Sequence, residues 1–152
     1  MKVLVDSPTR PDVLALLEEH LRSMYELSPP ESVHALDVTK LQSPDVTFWS
    51  VRDDDGTLLG IGALKELSAK HGEIKSMRTP QALLRRGAGK RVLAHILAVA
   101  RERGYERLSL ETGTPDAFLA ARALYESFGF VYCTPFGDYK LDPYSAFMTL
   151  RL

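Results

Sequence analysis

Two glycines, Gly87 and Gly89, are flanked by Arg85, Arg86, Lys90 and Arg91 and precede a stretch with helical apolar spacing. Glycine allows the backbone to come close to a ligand. The first amides of a helix have no internal partners, and the helix dipole adds partial positive charge there. A helix start of this kind suits phosphate. Two common phosphate motifs are not met. A P-loop needs glycine five residues before Gly89 and a hydroxyl after the lysine, where Leu84 and Arg91 stand. A dinucleotide fingerprint needs a small residue three after Gly89, where Val92 stands. About 38 residues beyond Gly87 lies Tyr125, in the run Ala123-Leu124-Tyr125-Glu126-Ser127-Phe128-Gly129-Phe130. Taken alone, such a tyrosine is more often a half-buried core aromatic than a catalyst.

Elements to position these residues are readable in the pattern. Val3 to Val5 reads as a short strand, and Asp12 as the N-cap of a helix carrying Val13, Leu14, Leu16, Leu17, Leu21 and Met24. Val46 to Arg52 is rich in β-branched and aromatic residues. Asp53-Asp54-Asp55-Gly56 then predicts a hairpin turn into a strand over Leu58 to Leu67, followed by a strand over Glu73 to Thr79. The glycine loop leads into a helix with Val92, Leu93, Ile96, Leu97 and Ala100 on one face, ended by Gly104. Arg107 to Thr112 predicts a strand, and Pro115 to Phe128 a helix with proline near its first turn and Gly129 at its end. Strands over Phe130 to Cys133 and Ala146 to Leu150 follow, joined by the loop Thr134 to Ser145. A strand–helix–strand unit beside an antiparallel meander implies an α/β (α+β) fold. Its central sheet is mixed and mostly antiparallel, of about seven strands with helices on both faces.

Composition narrows the function. The chain has 152 residues, is 45% hydrophobic and 26% charged, and suits one domain over residues 1–152. Its single cysteine, Cys133, rules out an internal disulfide and argues against a cysteine zinc site, so no metal is expected. No signal-peptide core and no run of 18 apolar residues is present, which predicts a cytoplasmic protein with no membrane partner. The net charge of −1 hides two unlike regions. Residues 84–107 hold seven Lys or Arg and two Glu, hence +5, which leaves −6 on the rest. The basic region coincides with the glycine loop, where a small polyanion would sit. Without interleaved aromatics or basic stripes elsewhere, nucleic acid is not the expected partner.

Leu84 to Gly89 and Leu124 to Phe130 together resemble the two signature blocks of the GNAT acetyl-CoA-dependent N-acetyltransferases, and the element order matches over nearly the whole chain. The resemblance implies acetyl-CoA as co-substrate, with its pyrophosphate on Arg85, Arg86, Gly87, Ala88, Gly89 and Lys90. It implies backbone pairing of the pantetheine arm at Met77 and Thr79. The fourth strand would be bulged and splayed from the fifth to form the cofactor cleft. Tyr125 would protonate the leaving thiolate. Two positions depart from the family pattern: Leu84 replaces a leading Arg or Gln, and Phe118 stands where an asparagine is common. A homodimer is a common assembly in the family.

Amine acetylation also needs a base, because an ammonium has no lone pair. Fixed N–H donors, here an amide near Met77, would hold the developing oxyanion. Glu73 matches a carboxylate position that several relatives use as the base. Glu111 and His34 are the alternatives. Acceptor contacts are expected from His34 and Glu31 in the first loop and from Asp138 and Tyr139 in the second. The acids and the aromatic ring suit a small cationic amine or amino acid. A peptide or protein N-acetyltransferase and a non-catalytic acyl-CoA-binding module are the competing readings.

Overall fold

The computed structural model describes residues 1–33, 38–84 and 86–152. His34 and Arg85 lie outside them. The chain runs through β1 (Lys2–Val5), α1 (Pro11–Leu27), α2 (Val38–Leu41), β2 (Val46–Arg52), β3 (Leu58–Ser68) and β4 (His71–Arg78). It continues through α3 (Ala88–Glu102), β5 (Arg107–Gly113), α4 (Leu119–Ser127), β6 (Val131–Cys133) and β7 (Ser145–Arg151). The strands form one seven-stranded sheet in the order β1-β2-β3-β4-β5-β7-β6. Every neighbouring pair is antiparallel except β4 and β5, which α3 connects as parallel neighbours. That is the predicted mixed sheet, with the one parallel pair where a helical crossover demands it.

Two apolar layers flank the sheet. On one face, Val92, Leu93, Ile96 and Leu97 of α3 and Tyr125 of α4 pack on Leu64, Ile74, Leu108 and Leu110. On the other, Val13 and Leu16 of α1 and Leu41 of α2 pack on Phe48, Ile61 and Ala63. α3 comes close to β3 because Gly62 has no side chain. A Cβ there would lie 2.9 Å from Met77 Sδ, 3.1 Å from Val92 and 3.2 Å from Ile96.

Three local expectations need correction. Asp12 is not the N-cap of α1; Arg10 is, and Pro11 starts the helix with its preset φ. The Asp12 carboxylate instead accepts from the Val13 N–H at 2.8 Å and pairs with Arg52 at 2.6 Å, which draws its pKa below the usual carboxylate range. Arg52 is buried and also pairs with half-buried Asp6 at 3.1 Å, so the end of β1, β2 and α1 are tied at one point. The predicted helix over Pro115 to Phe128 is split: a 3₁₀ turn covers Asp116–Phe118 and α4 follows. Glu73 does not open its strand: β4 starts at His71, and Glu73 lies inside the paired region.

Candidate active site

The two glycine-motif blocks meet in space. Gly87 holds φ +83°, a conformation that disfavours any residue with a Cβ, and caps α3 with no side-chain hydrogen bond. The first bond of the helix runs from Arg91 N–H to Gly87 O at 3.0 Å. The amides of Ala88, Gly89 and Lys90 therefore have no helical acceptor. Arg86 and Lys90 are exposed beside them, and no acid sits in the first turn. Gly89 has a packing role besides: a Cβ there would stand 3.3 Å from Leu124 of α4. This close approach sets the Leu124–Tyr125 block against the glycine loop. The loop's donor set fits a pyrophosphate, since uncapped amides and two flanking cations face the same helix start.

Beside this loop the sheet comes apart. The β4–β5 ladder runs from His71–Arg107 to Ile74–Leu110 and stops, although β4 continues to Arg78 and β5 to Gly113. β5 remains paired with β7 as far as Gly113–Ser145. The cause lies in β4. Ile61 pairs with Arg78 while Ala63 pairs with Lys75, so β4 carries one extra residue in that interval. Ser76 sits at φ +57°, the sole non-glycine residue at positive φ among the described residues. The β4 edge from Lys75 onward, including Met77, faces a gap in place of a strand. Thr79 lies just past the end of β4. This bulge and splay match the cleft that the resemblance implies.

On the α1 side of the sheet, Glu73 is 3% exposed. Its Oε2 accepts from Tyr139 Oη–H at 2.7 Å and from Lys75 Nζ at 3.1 Å. Lys75 Nζ also donates to Tyr139 Oη at 3.1 Å and lies 5.6 Å from the centre of that ring. Both donors use Oε2, which leaves Oε1 without a described partner. Tyr139 is held by ring contacts to Phe136 at 5.2 Å and Phe147 at 5.6 Å. Burial and the Glu73 carboxylate push its hydroxyl pKa upward, so it remains a donor at neutral pH. Tyr139 thus holds Glu73 through its hydroxyl, in place of the free stacking surface the sequence suggested. Glu111 accepts from Ser145 Oγ at 2.9 Å.

Two cavities share the Glu73–Lys75–Tyr139 group as a wall. One, about 300 Å³, runs along α1 and reaches Ser76 and Glu111 at the mouth of the splay. The other, about 520 Å³, gathers Glu31, Asp138 and Asp142 with Lys65 and Lys140. The predicted acceptor residues Glu31, Asp138 and Tyr139 are therefore brought together in this second cavity. Tyr125 lines neither of these two cavities. It is 6% exposed on the opposite face of the sheet, with its ring against Phe130 at 5.9 Å. Burial pushes its hydroxyl pKa upward.

Lys75 and His20 escaped the sequence reading. His71, Glu73 and Lys75 alternate along β4, a signal that could have placed Lys75 on the Glu73 face. His20 lines the first cavity, and its Nδ1 is buried without a partner among the described residues. No described cluster of three His, Cys, Asp or Glu is arranged to hold a metal. No described helix is long and apolar enough to cross a membrane.

The sequence profile of the acetyltransferase (GNAT) family matches residues 13–130. An uncharacterized N-acetyltransferase of Bacillus subtilis, YsnE, is 57% identical over 152 residues, which is 100% of both chains. The solved structure of a Klebsiella pneumoniae protein assigned as an acyl-CoA N-acyltransferase superposes with TM-score 0.79 at 28% identity, covering 99% of this chain and 97% of the other. A Bacillus subtilis acetyltransferase solved in complex with CoA shares the fold at TM-score 0.72 and 16% identity, covering 99% and 98%. With profile, close relative and fold in agreement, the chain belongs to the GNAT family of acetyltransferases.

Proposed function

We propose that this enzyme moves an acetyl group from acetyl-CoA to the amine of a small molecule by direct transfer within a ternary complex. One observation carries the reading. The β4–β5 ladder opens at Ile74–Leu110, with the uncapped α3 start and Tyr125 on one face of the sheet and buried Glu73 on the other. The Ala88, Gly89 and Lys90 amides, with Arg85, Arg86 and Lys90 side chains, would hold the pyrophosphate. The open β4 edge at Met77 and Thr79 would take the pantetheine arm by backbone pairing. Acetyl-CoA supplies the thioester that makes the acetyl carbon electrophilic.

Glu73 Oε1 takes a proton from the acceptor ammonium, which frees the nitrogen lone pair. As the new C–N bond forms, an amide of the bulge near Met77 holds the charge on the carbonyl oxygen. As the C–S bond breaks, Tyr125 donates its hydroxyl proton to the departing thiolate. Burial raises the pKa of the Tyr125 hydroxyl, so the proton is in place on it at neutral pH. Holding both reactants at one gap supplies a large share of the rate. By analogy with the family, a homodimer is the expected assembly.

The test is thiol release from acetyl-CoA with a panel of amines, in wild type and Tyr125→Phe. Loss of about 10²–10⁴-fold in kcat is expected, with the KM for acetyl-CoA changed little. Near-wild-type turnover of Tyr125→Phe at all pH values would refute the acid role.

A further inference from the structure

We propose that the acceptor is a primary amine on an uncharged aliphatic body, seated in the cavity along α1 with its amine at Glu73. This rests on the acetyl-transfer reading and adds the acceptor class to it.

α1 carries more apolar surface than its packing uses. Val13 and Leu16 are buried against β2 and β3, the layer that an amphipathic helix must bury. Leu14, Leu17, Leu21 and Met24 recur at three- and four-residue spacing and line the cavity wall. Leu21 remains 36% exposed in this position. The stripe extends about 15 Å along the helix at 1.5 Å per residue. Glu18, exposed on α1, is the charged residue beside this stripe, so the apolar run itself suits an uncharged body.

The polar end of the cavity selects the charge. Glu73 and Glu111 line it against one ammonium among the described lining residues, Lys75, and Glu18 lies on the helical wall. His20 adds no charge at neutral pH, because burial and the Arg78 guanidinium push its pKa down to about 4. The surplus of carboxylates favours a cation at this end. Lys75 already donates to Glu73 and Tyr139, so it is committed to the base rather than poised for an acceptor carboxylate. Apolar body, one ammonium and no carboxylate is the description that satisfies both ends.

The experiment uses the full chain, acetyl-CoA and equal concentrations of n-propyl-, n-butyl-, n-pentyl- and n-hexylamine, with 1,4-diaminobutane and β-alanine as charged comparators. Release of CoA thiol gives kcat/KM for each. The expected result is a rise of about threefold to fourfold per added methylene, the factor for moving one CH₂ out of water. Diaminobutane should fall at least about tenfold below butylamine, because its second ammonium enters the apolar stripe. In Leu21→Gln the advantage of hexylamine over propylamine should shrink by about threefold or more, whereas a merely weakened fold would lower every amine together. A flat or falling series, or a charged comparator turning over best, overturns the proposal while leaving acetyl transfer intact. No thiol release with any amine, together with no thermal shift on adding CoA, sinks the acetyl-transfer reading and the acceptor class with it.

Discussion

His20 makes the fold acid-sensitive in a pH range where its carboxylates do not. Its Nδ1 is buried without a described partner, and its pKa is pushed from 6.5 down to about 4, by burial first and by the Arg78 guanidinium second. The unfolded chain takes up this proton near pH 6.5, whereas the folded chain resists it until about pH 4. Protons in that window favour the unfolded state, so stability is full above 6.5 and falls as pH drops toward 4. At 1.36 kcal/mol per pH unit, the full difference is about 3 kcal/mol, and about 2 kcal/mol is already lost at pH 5. His71, whose pKa burial also lowers, adds a loss of the same sign. The lowered pKa of Asp12 acts in a separate range, at and below the usual carboxylate value of 3.8. Urea unfolding followed by fluorescence of Trp49, the single tryptophan and 2% exposed, measures the effect from pH 7.5 to 4.5. His20→Gln should flatten the curve by about 2 kcal/mol between pH 7 and 5 relative to wild type. Parallel wild-type and variant curves across that window would show that His20 is not the buried neutral group described.

Tyr139→Phe keeps the ring packing on Phe136 and Phe147 but removes the hydroxyl that Glu73 accepts from. A charged acceptor losing a buried donor costs about 1.5–3 kcal/mol; kcat should fall about tenfold or more, with the KM for acetyl-CoA unmoved. Equal losses in both parameters would assign Tyr139 to overall structure. Gly62→Val places bulk among Met77, Val92 and Ile96. It should destabilise by about 1–3 kcal/mol and weaken CoA binding in calorimetry, since α3 must move with its start. Wild-type stability and CoA affinity together would contradict the close packing of α3 on β3. Arg52→Met takes the buried guanidinium from the Asp6 carboxylate, whose side chain is 5% exposed, and leaves it the exposed Arg10 at 3.3 Å. A loss of about 3–5 kcal/mol at neutral pH is expected in denaturant unfolding, and a loss below 1 kcal/mol would show Asp6 to be solvated.

What the sequence made legible was local chemistry. Val46–Arg52 is the strand its β-branched and aromatic residues predicted, and Asp-Gly turned the chain where expected. The glycine loop and the Tyr125 block were readable because each is a short run with its own conformational demand. The partners of Glu73 were not, because Tyr139 is 66 residues away and nothing local joins the two. Arg52 and Asp12, 40 apart, escaped for the same reason, and Asp12 looked like a cap because Asp is a good one. Periodicity found Val13, Leu14, Leu16, Leu17, Leu21 and Met24 of α1 but could not separate Val13 and Leu16, which bury, from the stripe that lines a cavity. The β4 bulge has no glycine to announce it: Ser76 takes the positive φ itself.

The bulge is what joins two faces that a regular sheet would keep apart. Alternation along β4 puts Ile74 in the layer under α3 and Glu73 in the opposite one. Tyr125 belongs to the α3 layer and Glu73 to the α1 side, so an intact β4–β5 ladder would separate donor and acceptor of protons by a wall of backbone. The extra residue at Ser76 ends that ladder within a turn of Glu73 and opens the edge at Met77. Under the roles proposed above, proton removal on one face and proton delivery on the other would serve one reacting carbon held in the gap. The same separation keeps the two groups from neutralising each other: Glu73 is held by Lys75 and Tyr139, and Tyr125 by apolar packing alone. On the proposed roles, base and acid therefore stand in different environments, one polar and one apolar.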